Sequence, residues 1–290
     1  MVIVKLIGGL GNQMFQYALG RTLSLLHDAE LKLDVSPFDR YKLHGYALGH
    51  LNVQENLASA REVRHAKVAG WWNRVVSKTP SQAASPGSWI WVRESSFCFD
   101  ERILGTKANC YLDGYWQSEK YFSSQANVIR NEFALRSSLD PESNRVAEVI
   151  RNSTSVSIHV RRGDYVSSLK TSKIHGTCSA DYYREAAALI SSEVTDPRFF
   201  VFSDDPEWTR FNLPVRGAVT YVTHNGADRN YADLHLMRLC KHHIIANSSF
   251  SWWGAWLAAS PTKIVVAPKL WFSSASHDTT DLIPDTWIRI

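Results

Sequence analysis

Between residues 156 and 267, short β-branched and aromatic runs alternate with longer stretches of helical spacing, and this alternation restricts the fold of the 290-residue chain more than any other feature. The runs are 156–160, 199–203, 218–222, 243–246 and 263–267; the stretches between them include 179–193, 229–241 and 250–259. Apolar strands separated by helices predict a parallel sheet with both faces covered. In such a sheet, ligands gather outside the carboxyl ends of the strands. The residues just past each run therefore matter most.

Three of these ends are polar. The run Val156-Ser157-Ile158-His159-Val160 breaks into Arg161-Arg162-Gly163-Asp164-Tyr165. The second strand ends in Ser203-Asp204-Asp205-Pro206, and another ends in Asn247-Ser248-Ser249, leading straight into a helix. Paired guanidiniums suit phosphate oxygens, and serines with the first N–H groups of a helix suit the same anion. A carboxylate such as Asp204 can accept two donors from a guanine edge. Taken singly, each cluster also reads as an ordinary cap or surface ion pair, and Arg162-Gly163-Asp164 as an adhesion tripeptide; convergence of the three favours a site.

The chain opens with the same logic. Residues 2–7 predict a strand, Gly8-Gly9-Leu10-Gly11 a tight turn, 12–27 a helix capped by Asn12, and 31–35 a second strand. Phe15, Ala18, Leu19, Thr22, Leu25 and Leu26 form the predicted apolar face of that helix. Gly9-x-Gly11-x-x-Met14 supplies two of the three dinucleotide glycines, with Asp34 near the place of a ribose-binding acid, an incomplete fingerprint.

Beyond it come an irregular aromatic region at 37–57, a short helix at 59–68 and an exposed connection at 71–88. Strands are predicted at 89–93 and 110–112, a turn at Asp113-Gly114-Tyr115-Trp116-Gln117, and an amphipathic helix at 118–133. Asp140-Pro141 is a sharp helix start, running to 152, and marks a boundary between domains 1–139 and 140–290. Trp252, Trp253 and Trp256 sit at helical spacing and read as packing, whereas Trp116 lies in a polar turn and reads as a ligand contact.

Composition narrows the function classes. A net charge of +4 without a dense basic stripe argues against nucleic acid. Four scattered cysteines without a C-x-x-C pair argue against zinc and disulfides and fit a reducing cytoplasm. No apolar stretch approaches membrane-spanning length, and the first residues lack the pattern of a leader, so a soluble, cytoplasmic protein is expected. P-loop, zinc-protease, hydrolase-elbow and D-x-D signals are absent; if a diphosphate departs here, arginine must neutralise it.

Residues 8–17 (GGLGNQMFQY), 112–118 (LDGYWQS), 159–165 (HVRRGDY), 202–205 (FSDD) and 247–254 (NSSFSWWG) together resemble the bacterial α-1,2-fucosyltransferases, inverting glycosyltransferases; the H-x-R-R-x-D stretch is also similar to one in α-1,6- and protein O-fucosyltransferases. The resemblance implies an α/β fold with two Rossmann-like domains facing across a cleft (GT-B type), residues 1–139 on the acceptor side and 140–290 binding the nucleotide sugar. It implies transfer of L-fucose with inversion from GDP-L-fucose to the 2-hydroxyl of a galactose-type residue in an oligosaccharide or surface glycan, without metal or cofactor.

By the same resemblance Arg161 would bind the β-phosphate and stabilise departing GDP, with His159 and Asp204 on guanosine and Ser249 and Ser251 on the diphosphate. Gly11, Asn12 and Gln13 would close the donor site from the other domain. Tyr115 and Trp116 are candidate acceptor contacts, and Asp34, Asp113 and Asp164 are candidate general bases. No nucleic-acid partner is implied. The absence of a spanning segment leaves room for peripheral membrane contact through a lipid-linked acceptor.

Overall fold

The computed structural model describes every residue except 42, 77–86, 108, 168–171, 173 and 274–276, together with all side chains but those at 72–76, 164 and 167 within its helices. The chain divides into two compact units, Met1–Arg136 with Asp278–Leu282, and Ser137–His277 with Ile283–Ile290. Residues 278–282, expected in the second domain, belong to the first because Asp281 accepts the Phe99 N–H at 2.8 Å and pairs with Lys120.

The first unit carries a four-stranded sheet: β1 (Val2–Lys5), β2 (Leu31–Asp34), β3 (Ile90–Arg93) and β4 (Cys110–Asp113), ordered β2-β1-β4-β3 and parallel throughout. Alternation along β1 sends Ile3 to α2 (Ala60–Val76), where it meets Val63, Ala66 and Tyr111, and Val4 to the opposite face, against Gly20 of α1 (Leu10–Leu26). Two predicted details change. Helix α1 begins two residues before Asn12, capped by Gly9, so Asn12 lies inside its first turn; Leu25 and Leu26, assigned to the apolar face, are exposed at its far end. Helix α2 runs past the predicted 68 to Val76.

The helix predicted over 118–133 is broken into two 3-10 turns, Glu119–Tyr121 and Ser123–Gln125, and α3 (Ala126–Glu132). Ser118 caps the first turn by accepting from the Lys120 N–H, and its hydroxyl competes with continuous helix there.

The second unit starts at α4 (Pro141–Arg151), with Asp140 capping the N–H groups of Glu142 and Ser143 and Pro141 at the first helical position, as the sequence predicts. Its strands are β5 (Thr154–Val160), β6 (Pro197–Ser203), β7 (Ala218–Val222), β8 (His242–Ile244), β9 (Val265–Ala267) and β10 (Ile288–Arg289), in the order β10-β9-β8-β5-β6-β7, again all parallel. Between them run α5 (Gly163–Ser167), α6 (Ala180–Glu193), α7 (Pro206–Asn212), α8 (Asn230–Leu239) and α9 (Ser249–Leu257).

Val156, Ile158 and Val160 pack on Tyr182, Tyr183, Ala186 and Ile190 of α6. The alternate residues Ser157 and His159 turn to the other face, where His159 meets the Phe250 ring of α9 at 5.3 Å. Trp252, Trp253 and Trp256 are buried and pack on one another, with Trp252 also against Trp287, so they are core, as their spacing predicts.

Candidate active site

In the second sheet strand order reverses once, between β5 and β8; in the first the chain steps from β1 to β2, crosses to the far edge at β3 and returns to β4, which leaves the ends of β1 and β4 side by side. At a reversal such as that of β5 and β8 the connections leave in opposite directions and open a crevice beyond the strand ends. The motifs read from the sequence lie just past these strands. Gly8-Gly9 comes after β1 and Gly114–Gln117 after β4; Arg161-Arg162 comes after β5 and Asn247-Ser248-Ser249 after β8.

In the second unit, the register Val160↔Ser203 places the next residues of β5 and β6, Arg161 and Asp204, side by side. Their side chains form an ion pair at 2.9 Å, and the second carboxylate oxygen of Asp204 accepts the Arg162 N–H at 2.8 Å. A Cβ at residue 163 would stand 2.6 Å from Asp204 Oδ2, so only glycine admits the carboxylate here. Arg162 turns away: its Nε meets Asp205 at 3.1 Å and its guanidinium lies 4.0 Å from the Trp208 ring centre. Asp205 also caps α7 through the Trp208 N–H. Arg162 is therefore a brace held by Asp205; the Asp164 side chain lies outside the described residues.

Arg161 remains 22% exposed, with the Tyr165 ring 5.4 Å from its guanidinium carbon. Tyr165 stacks on His175 and donates to the Asn247 carbonyl at 3.2 Å, linking the loops after β5 and β8. Asn247 donates to the carbonyls of His175 and Trp271. A cavity of about 390 Å³ adjoins it, lined in part by His175, Cys178, Lys269 and Phe272.

Burial pushes the His159 imidazole down to about 4, with Asp204 opposing and Arg161 reinforcing the shift, so the ring is neutral at pH 7. Its Nδ1 is buried without a hydrogen-bond partner among the described residues. A buried, unpartnered ring nitrogen beside the strand end is a group that a ligand can satisfy.

Helix α9 begins at Ser249, with Ser248 capping the Phe250 N–H. Ser251, expected on the diphosphate, is 1% exposed and turns its hydroxyl to the carbonyls of Ala246 and Ser248. The half-buried Ser249 keeps its place at the helix start. What the α9 start offers an anion is therefore Ser249 and backbone N–H groups, not the Ser251 hydroxyl.

In the first unit, Gly8 at φ +85° makes the turn after β1. Gln13, expected to reach the donor, is fully buried and engaged: it donates to the Gly8 and Gly45 carbonyls and accepts the Ala47 N–H, each at 2.9 Å. Asn12 accepts from Gln117 at 2.8 Å, and Gly11 lies buried in the first turn of α1. Gln16, which sequence reasoning does not single out, is also fully buried; it accepts the Ile7 N–H and donates to the Gly114 carbonyl, tying together the loops after β1 and β4. The signal for it in the chain is a second amide three residues beyond the glycine-turn glutamine.

Asp34 is fully buried and accepts from the Tyr111 hydroxyl and the Ser36 hydroxyl at 2.6 Å, from the Ser36 N–H at 3.1 Å and from Lys67 at 3.4 Å. Burial alone would raise its pKa, but Ser36, Tyr111 and Lys67 hold it below the ordinary carboxylate value. A sealed, saturated carboxylate takes no proton from a substrate, which removes Asp34 as a base. Asp113, at the end of the central strand β4, sits between Lys5 at 2.8 Å and Arg93 at 3.6 Å from its two sheet neighbours.

Trp116, expected on the acceptor, is 1% exposed: its ring packs edge-on against Tyr121 in the core, and its backbone adopts φ +59°. Tyr115 is the exposed aromatic of that turn. Beneath the turn lies Glu94, another residue that sequence reasoning misses. Its two oxygens accept the Tyr115 and Trp116 N–H groups at 2.6 and 2.8 Å, and burial raises its pKa against the pull of those bonds.

The fold and these strand ends define a two-unit α/β protein whose second unit sets a guanidinium and a helix start at a strand-order reversal. The profile of glycosyl transferase family 11 matches residues 92–290. The chain is also 35% identical to the alpha-1,2-colitosyltransferase of Escherichia coli, over 100% of this chain and 99% of the relative. The galactoside alpha-(1,2)-fucosyltransferase 1 of Ateles belzebuth is 30% identical over 52% of this chain and 43% of its own length. A mutant of Arabidopsis thaliana FUT1 solved in complex with GDP aligns with a TM-score of 0.51 at 12% identity, over 91% of this chain and 69% of that one, a likeness of fold: Rossmann-like α/β units of the GT-B type. The chain belongs to glycosyl transferase family 11.

Proposed function

We propose that this family 11 glycosyltransferase moves L-fucose, with inversion and without a metal, from GDP-L-fucose to the 2-hydroxyl of a galactose-type residue in an oligosaccharide or surface glycan. In this reading the second unit binds the nucleotide sugar, the first serves the acceptor, and the reaction takes place in the cytoplasm. The observation that carries it is the position of Arg161 at the end of β5, beside the β5/β8 reversal from which α9 also starts. The colitosyl and fucosyl transfer named for the relatives supports the sugar class.

The acceptor oxygen attacks the anomeric carbon as the bond from that carbon to the phosphate oxygen breaks. Negative charge grows on the diphosphate, and Arg161 stabilises it where it develops. A diphosphate carries more charge than one carboxylate, so it displaces Asp204 from Arg161; Asp204 Oδ2 then becomes available to donors on the guanine edge. Neutral His159 meets the nucleoside through a ring nitrogen. Asp34 is sealed and Asp113 is tied to two cations, so of the three candidate bases Asp164 is left, or the acceptor proton leaves late with weak base assistance.

The test is incubation with GDP-fucose and a panel of galactose-terminated acceptors, with the product linkage read by NMR and the rate compared in excess EDTA and in magnesium. An α-1,2 linkage formed at similar rates in both buffers is expected; a rate abolished by EDTA and restored by one cation contradicts the metal-free mechanism. The full-length likeness to a colitosyltransferase favours one second reading, a donor sugar lacking the 3-hydroxyl of fucose. Competition between GDP-fucose and its 3-deoxy counterpart decides between them by kcat/KM.

A further inference from the structure

Helix α2 buries Val63, Ala66 and Gly70 against the first sheet and turns Arg61, Arg64, His65, Val68 and Trp71 outward, positions that fall on one helical stripe. Val68 and Trp71 are 52% and 48% exposed. The two arginines have no acid on that stripe. Glu62 lies beside it, tied to Lys32 at 2.5 Å and to the Ser59 N–H and hydroxyl. Next to the stripe a depression of about 620 Å³ combines an apolar wall of Met1, Val68 and Trp89 with Arg61, Glu62, Arg64 and His65.

We propose that this face of α2 docks on an anionic phospholipid bilayer, with Trp71 and Val68 entering the headgroup boundary and Arg61 and Arg64 contacting lipid phosphates. Tryptophan and arginine on one stripe match that boundary, where a ring is half wet and a guanidinium reaches phosphate from an apolar stem. Charge argues against a second copy of the chain, because a two-fold contact of this stripe with itself would bring like guanidiniums together. An amphipathic helix face of this kind makes a peripheral, reversible contact; no helix among the described residues is long and apolar enough to cross a membrane. The proposal concerns the first unit alone and holds whichever sugar the enzyme transfers.

The experiment is co-sedimentation of the full chain with vesicles of phosphatidylcholine alone and of phosphatidylcholine with phosphatidylglycerol, at low and at physiological salt. The unaltered chain should partition onto the phosphatidylglycerol vesicles, more at low salt, and stay off the neutral ones. Each arginine near such a surface strengthens binding about fivefold, so Arg61→Gln with Arg64→Gln should lower partitioning about 25-fold. Val68→Ser with Trp71→Ser should lower it as well. All these positions are exposed, so melting temperatures should stay within a few degrees and separate lost binding from lost folding. Equal partitioning of the unaltered and arginine-substituted chains, or none onto phosphatidylglycerol vesicles, overturns the proposal. So does self-association in ultracentrifugation that the Val68 and Trp71 substitutions abolish while vesicles capture nothing, since the face would then belong to a second copy.

Discussion

Both units carry polar residues at the carboxyl ends of parallel strands, yet the two sets are used differently. In the first unit they hold the protein together: Asp34 is sealed under Tyr111, Ser36 and Lys67, Gln13 and Gln16 pin loops to one another, and Glu94 carries the turn at Tyr115. In the second, Arg161 and Asp204 are 22% and 26% exposed and pair with each other across adjacent strand ends. A buried network is rigid because each group left unpaired there is costly, whereas a half-exposed ion pair exchanges partners at little cost. Topology alone does not make a strand end chemically active; the ability of its charges to change partners does.

The strongest way to break this contrast is Arg161→Lys. Lysine keeps the charge but loses the planar fork, so turnover should fall by about two to three orders of magnitude, roughly 3 to 4 kcal/mol, while GDP still binds in calorimetry. Arg162→Lys should be milder, since Asp205 and Trp208 give Arg162 a bracing role. Near-normal turnover in the first variant with a dead second one would reverse the two roles.

Acid should act next, and on the second unit. Burial lowers the pKa values of His159 and His235 to about 4 and that of His243 well below its ordinary value. A ring that binds fewer protons when folded contributes stability present above the unfolded value, near 6.5, and lost as pH falls toward about 4. For His159 and His235 the loss is on the order of 2 to 3 kcal/mol each across that window. Burial raises Asp233 to about 7, and this works in the opposite sense: it favours the folded state at low pH and offsets part of the loss. Urea unfolding between pH 7 and 4.5, followed by Trp252, Trp253, Trp256 and Trp287 fluorescence, should reveal falling stability; a flat profile would mean that these rings are not held neutral.

Asp34→Asn should lower stability by about 2 to 3 kcal/mol, because Tyr111, Ser36 and Lys67 lose a buried acceptor that an amide replaces poorly. Turnover measured well below the melting temperature should stay near normal. Lost turnover at unchanged stability would restore Asp34 as a base. The smallest effect is expected from Glu94→Gln, about 1 to 2 kcal/mol, since one amide oxygen still accepts one of the two N–H groups. If the turn presents Tyr115 to the acceptor, the acceptor KM should rise with kcat little changed; equal changes with several acceptors of different length would leave Glu94 a purely structural support.

Much of this molecule was legible in the chain alone. Strand and helix alternation marked parallel α/β units, because backbone periodicity is local; Asp140-Pro141 started its helix where predicted, and the tryptophans at 252, 253 and 256 were core by spacing. The strand-end position of Arg161, Asp204 and Ser249 was legible too, since charge after an apolar run is visible without coordinates. Tertiary structure decided which of these groups have changeable partners. The β5/β6 register set Asp204 against Arg161, and register depends on pairing between segments about forty residues apart. Helix breaking at Ser118 and the left-handed backbone of Trp116 turned a predicted ligand contact into core, and folding closed Asp34, Gln13 and Ser251 inside hydrogen-bond networks. A polar residue at a strand end looks the same in sequence whether it faces a crevice or a neighbour's N–H; burial, which only the packed chain sets, makes one a scaffold and leaves the other for chemistry.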